Sequence, residues 1–250
     1  MGYSRLATSS ILVEGDELAA AMIGIGMMFG AAAPAHATNI EDTLLAASIE
    51  GMDRDDLRVL AVLVTWLGAH HARINADRLI RAVLAHPSDR VGAFWAGIGE
   101  WLAKDRRLAR LCQAHPKPRI DLLRTGTDFQ IGRRGEDQRF RHGPLRVPAG
   151  VLRDRPADIL DPKALAKRHD TYCYRVLMGP TYRADMWALL DREPSLSASE
   201  LARKAYGSFA TAWQVKHDRA LIGGCQLRPG RPLRQIDGVM TTLGPEDSPI

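Results

Sequence analysis

Residues 183–222, RADMWALLDREPSLSASELARKAYGSFATAWQVKHDRALI, have the spacing of three short helices joined by two tight turns. The first helix is expected over 183–191, with Met186, Trp187, Leu189 and Leu190 as its apolar stripe and Pro194 beyond its end. Ser197 followed three residues later by Glu200 is a capping box, so a second helix opens there with Leu201, Ala202 and Ala205 on one face. Tyr206-Gly207 breaks it, the glycine being expected to supply left-handed backbone angles. Ser208 can cap a third helix in which Ala212 and Val215 turn back toward Leu201 and Ala205. That arrangement leaves Phe209, Ala210, Trp213, Gln214 and His217 facing outward.

The positions Leu201, Ala202, Ala205, Gly207, Ala212 and Val215 resemble the winged helix-turn-helix superfamily over roughly the last quarter of the chain. The resemblance implies a DNA-binding module whose third helix enters the major groove, with Ser208, Phe209, Ala210, Trp213, Gln214 and His217 as its contact residues. It also implies a following β-hairpin, the wing. Two features depart from the pattern: Arg219 stands on the buried stripe, and Gly207 falls one place late. Residues 225–234 read as a short strand, a Pro229-Gly230 turn and a second strand weakened by Pro232. Arg228, Arg231 and Arg234 would surround that hairpin's tip and suit phosphates or a narrow minor groove. Residues 237–250 read as a frayed tail.

Charge is divided unevenly along the chain. Residues 1–100 carry 7 Lys/Arg against 12 Asp/Glu, a net of −5, whereas residues 101–184 carry 19 against 9, a net of +10. Residues 185–250 carry 8 of each, so this last segment is neutral overall and the positive field precedes it. Arg133, Arg134, Arg153, Arg155, Lys163, Lys167, Arg168 and Arg175 make up much of that field, a surface expected to hold phosphates while the helix reads bases. With 46% hydrophobic and 25% charged residues, the chain is expected to fold around a substantial core. Cys112, Cys173 and Cys225 are odd in number and widely spaced, indicating neither a disulfide framework nor a metal site and fitting a reducing cytoplasm.

Upstream, the expected organisation runs from an apolar segment (1–38) to a helical bundle (39–115), a basic α+β segment (116–180) and the winged helix-turn-helix (181–236). The run at 18–33 is apolar enough for an export signal, but Glu14, Asp16 and Glu17 stand where a positive flank belongs, so a buried, glycine-pitted helix is expected instead. It is also short for a membrane span. Within the bundle, Leu57, Leu60, Val64 and Leu67 recur at helical spacing, Asn75 caps the next helix, Ser88 or Asp89 caps another, and residues 106–112 add a short one. Residues 128–131 and 138–147 alternate like a β-hairpin with Gly132-Arg133-Arg134-Gly135 as its basic loop. Asp161-Pro162 then starts a helix expected to reach Gly179.

Catalytic signals are sparse, with no phosphate-binding loop, dinucleotide fingerprint, nucleophile elbow or zinc-protease motif. Arg81-x4-His86 resembles the arginine-histidine motif of HEPN ribonucleases, which implies RNA phosphate chemistry; Arg110 and His115 repeat the spacing. The sequence therefore predicts a mainly α protein without a cofactor. It is expected to be a cytoplasmic transcriptional regulator or antitoxin-like operon regulator that binds double-stranded DNA, with a homodimer and a protein partner as further expectations and no membrane association. A protein-interaction module and a ribonuclease are the alternatives.

Overall fold

The computed structural model describes residues 13–30 and 38–222; the expected wing with Arg228 and Arg231 lies outside the described residues. The protein is mainly helical, with one two-stranded sheet among those residues. Helices α1 (Gly15–Gly24), α2 (Ile40–Asp53), α3 (Leu57–His70), α4 (Ala76–Ala85) and α5 (Asp89–Trp101) build the bundle, followed by a 3-10 stretch, Arg106–Ala114. Side-chain caps set the boundaries: Asn39, Asp56, Asn75 and Ser88 each accept a backbone N–H at the start of α2 to α5. Helix α3 is the central one, with Leu60, Val62, Leu63, Val64, Trp66 and Leu67 fully buried. Helix α1 buries Leu18 and Met22 in the same core.

Downstream residues join that core as well. Leu122, Phe140, Leu145, Val147, Leu152, Leu165 and Tyr172 pack with the bundle side chains. One close approach depends on glycine, because a Cβ on Gly97 of α5 would lie 2.9 Å from Phe140. A glycine inside a helix costs about 0.5–1 kcal/mol relative to alanine, and here it admits a buried aromatic ring in exchange.

The expected β-hairpin at 128–147 does not form. Residues Thr127–Arg134 are a helix, α6, and the strands β1 (Ile120–Asp121) and β2 (Leu145–Arg146) pair in parallel, with Ile120 opposite Leu145 and Asp121 opposite Arg146. Parallel pairing needs a crossover rather than a two-residue turn, and α6 lies in that crossover. The alternation of Phe129 and Ile131 misled because Phe129 is 69% exposed and buries nothing. Asp128 in the first turn and Arg133 and Arg134 in the last instead complement the helix dipole. One antiparallel bridge, between Glu136 and Pro148, lies outside both expected strands.

The helix expected from Asp161 to Gly179 is two helices, α7 (Pro162–Arg168) and α8 (Asp170–Met178). His169 divides them. Its backbone is extended, and its Nδ1 accepts the Tyr172 N–H as the cap of α8. No helix among the described residues is long and apolar enough to cross a membrane.

Candidate nucleic-acid interface

Helices α9 (Tyr182–Arg192), α10 (Ala198–Lys204) and α11 (Phe209–Ile222) form a second hydrophobic cluster, in which Met186, Trp187, Leu190, Leu201, Ala202, Ala205, Ala212 and Val215 are buried. The capping box is complete: Ser197 Oγ accepts the Glu200 N–H, and the Glu200 carboxylate accepts the Ser197 N–H at 2.9 Å. Ser208 Oγ accepts the Thr211 N–H at 3.1 Å in the first turn of α11.

The turn between α10 and α11 works differently from the expectation. Tyr206, not Gly207, takes the left-handed conformation, with φ at 56°. Gly207 is there for space, since a Cβ would lie 2.4 Å from Met186 Cε and 3.3 Å from Tyr182 Cβ. This explains why the glycine falls one place late. A left-handed non-glycine residue costs on the order of 1 kcal/mol, and contacts with the bundle hold Tyr206 in it. The Arg78 guanidinium stacks 3.2 Å from the centre of its ring, and its hydroxyl donates to Asp42 at 3.4 Å. Arg78 is itself fixed by Asp42 at 2.5 Å and by Asn39 at 3.2 Å.

A buried triad ties the same region down from beneath. Arg175 of α8 donates to Glu41 of α2 at 2.6 and 2.9 Å and to Asp185 of α9 at 2.7 and 2.9 Å, with both carboxylates and the guanidinium shielded from water. Arg175 therefore does not belong to a phosphate-contacting surface, contrary to the sequence expectation. Burial works against the Glu41 carboxylate, but Arg175, the Asn75 N–H and Arg78 outweigh it and hold Glu41 below the ordinary carboxylate range. Asp185 has less support, and burial leaves it above that range.

On α11 the side chains divide as the spacing predicts. Ala212 and Val215 are fully buried, while Phe209, Ala210, Trp213, Gln214 and His217 are exposed and Ser208 is half-buried. Trp213 and His217 stack nearly parallel with their rings 5.5 Å apart. The two cations of α11 are already engaged, as is Arg183 of α9. Arg183 pairs with Asp218 at 2.6 Å, Arg219 with Asp191 at 2.5 Å, and Lys216 donates to the Leu196 carbonyl. Gln214 donates to Asp218 at 2.8 Å. Arg219, the departure on the buried stripe, thus reaches sideways to a carboxylate and lies over the Trp187 ring.

The basic middle segment is also less positive than its count suggests, because several of its cations neutralise acids of the first hundred residues. Lys117 pairs with Asp89, Arg124 with Asp55 and Arg175 with Glu41. Arg133 and Arg134 end α6, Lys167 and Arg168 end α7, and these four are exposed with no carboxylate partner among the described residues. The spacing Arg110-x4-His115 does not present an open imidazole: His115 is buried with Nε2 on the Pro118 carbonyl at 3.0 Å. His86 is half-buried with Nδ1 accepting the Ser88 N–H at 3.3 Å, and Arg81 pairs with Asp77. Among the described residues no cluster of His, Cys, Asp and Glu has the form of a metal site.

Comparison with protein-family models, curated proteins and solved structures finds no match to this chain.

Proposed function

We propose that this chain is a DNA-binding regulator in which α9 to α11 form a helix-turn-helix and α11 is the recognition helix, with residues beyond Ile222 supplying a wing. The observation that carries the reading is the split of α11: Ala212 and Val215 lock it onto α9 and α10, while Phe209, Ala210, Trp213, Gln214 and His217 stay open to solvent. The four-residue connection at 205–208 and the capped start of each helix fit that use. Ala210 suits a thymine methyl, and Gln214 can meet an adenine edge once it releases Asp218. Because the cations of α11 are already engaged, this helix supplies selectivity more than electrostatic affinity.

The test is retardation of DNA from the gene's own upstream region by the intact protein at two salt concentrations. Gln214→Ala is expected to cost on the order of 1–3 kcal/mol on the preferred site and little on random DNA. Equal loss on both DNAs removes Gln214 as a reader.

A protein-docking role is the second reading, favoured by one observation. Phe209, Trp213, His217 and Leu221 recur every fourth residue on α11, and Phe209, Trp213 and Leu221 are 58%, 55% and 73% exposed. Absence of retardation, together with self-association that Trp213→Ala abolishes, would establish that reading instead.

A further inference from the structure

The loop region behind α6 encloses an open cleft of about 710 Å³, lined by Arg134, Gly135, Arg139, Arg141, Gly150 and Asp154 among others. Its three carboxylates share two guanidinium groups. Glu136 pairs with Arg119, and Asp137 and Asp154 both pair with Arg139, at 2.7 and 2.8 Å. Arg134 and Arg141 on the lining are exposed and have no carboxylate partner among the described residues. Arg133 adjoins Arg134, and exposed Arg153 reaches the rim by donating to the Gly150 carbonyl at 3.3 Å. Four further guanidinium groups therefore stand around one cleft in which Arg119 and Arg139 leave one carboxylate charge uncompensated, a surplus of three positive charges.

Cations at a helix C-terminus often do no more than complement its dipole, and that suffices for Arg133 and Arg134. It does not explain Arg141 and Arg153, which lie on no helix. The floor is also open in a particular way. Gly135 and Gly150 both have left-handed backbone, with φ of 78° and 80°, and neither would place a Cβ against any neighbour. The Gly135 N–H and carbonyl are engaged by Ile131 and Ala149 and the Gly150 carbonyl by Arg153, so the guanidinium groups are the donors that face a ligand there. Planar guanidinium groups offer paired donors to phosphate oxygens, and the lining carries no aromatic or branched aliphatic side chain to hold a ring.

We propose that this cleft is a phosphodiester-binding site, in which Arg133, Arg134, Arg141 and Arg153 hold the backbone of duplex DNA without reading sequence. The proposal rests on the DNA-binding reading of α11 and supplies the electrostatic affinity that α11 lacks.

The test replaces all four arginines by alanine in the full chain. A matched variant removes four exposed cations elsewhere that have no ion pair among the described residues, Arg58, Lys104, Arg106 and Arg110. Binding to random-sequence duplex DNA is measured from 50 to 200 mM salt, with circular dichroism confirming that both variants fold. Each phosphate contact contributes about 0.9 to the slope of log K on log salt. The cleft variant is expected to bind at least about tenfold more weakly at 100 mM salt and to flatten the slope by about 2–4, with the matched variant changing far less. Equal effects from the two variants would show a diffuse field and overturn the site, as would an unchanged slope in the cleft variant. If the wild type binds random DNA through the cleft but shows no preference that Gln214→Ala removes, the cleft stands and the α11 reading falls. If the wild type binds no duplex DNA at 50 mM salt, both fall.

Discussion

Tyr206 and Gly207 show how one turn satisfies two requirements with the residues exchanged from their usual roles. The backbone reverses at Tyr206, whose left-handed conformation is held by Arg78 and Asp42, and the glycine beside it keeps Met186 and Tyr182 in contact with the turn. The sequence announces a turn here, since Tyr-Gly interrupts a helical pattern. It cannot say which residue reverses, because the deciding contacts come from residues 78 and 42, more than a hundred positions away. Gly207→Ala is expected to destabilise the protein by about 1–3 kcal/mol, because the Met186 methyl can move but the Tyr182 Cβ cannot. Urea denaturation checks this, and a cost near zero would mean that the turn repacks freely. Tyr206→Gly relieves the backbone but loses the guanidinium stacking, so the two effects, each on the order of 1 kcal/mol, should nearly cancel in the same assay.

At the scale of elements, helix boundaries were legible wherever a side chain makes them. Asn75, Ser88, Asp161 and Ser197 cap the helices that the sequence assigns to them. Elements defined by distant pairing were not. The crossover helix α6 was hidden by an apolar alternation that buries nothing, and the break at His169 was hidden because histidine is an uncommon cap. That cap has a pH consequence. His169 donates from Nε2 to the Thr38 carbonyl at 3.1 Å and accepts from the Tyr172 N–H at Nδ1, so it holds the neutral imidazole. Burial, partly opposed by the bond to Thr38, pushes its pKa down to about 4. Above the ordinary value near 6.5 both folded and unfolded chains are neutral there, and its full contribution to stability is present. Between about 6.5 and about 4 the unfolded chain takes up a proton that the folded chain refuses, so stability falls as pH falls, by about 3 kcal/mol over the whole window. Burial shifts His70 in the same direction, adding to the loss. Urea midpoints at pH 7.5 and 5.0 test this: the wild type should lose stability, and His169→Asn, which keeps a capping side chain but does not titrate, should lose less. Equal slopes would show that His169 is not the group responsible.

Over the whole molecule, α8 is where the two hydrophobic clusters meet, Tyr172 belonging to the first and Tyr174 to the second. Three polar contacts cross the same boundary: Arg175 to Glu41 and Asp185, Tyr206 to Asp42 and Arg78, and Tyr182 to Asp77 at 2.7 Å. The exposed pattern of α11 could be read from helical periodicity alone, but this coupling could not, since a glutamate near the start of α2 is ordinary and its burial depends on a partner 134 positions later. The triad's net contribution is small compared with the cost of breaking it, because water is already excluded from all three groups. Arg175→Ala should therefore cost about 3–5 kcal/mol by leaving two buried carboxylates facing each other. Replacing the set together, as Glu41→Gln, Arg175→Met and Asp185→Asn, should recover most of that loss in urea denaturation. The decisive comparison is the shape of the transition. If α9 to α11 depend on the bundle for their position, the triple variant melts in one step and Arg175→Ala in two, with the fluorescence of Trp187, buried in the second cluster, changing in the earlier one. A single transition in Arg175→Ala with a cost below about 1 kcal/mol would mean that the second cluster holds α9 to α11 without the triad.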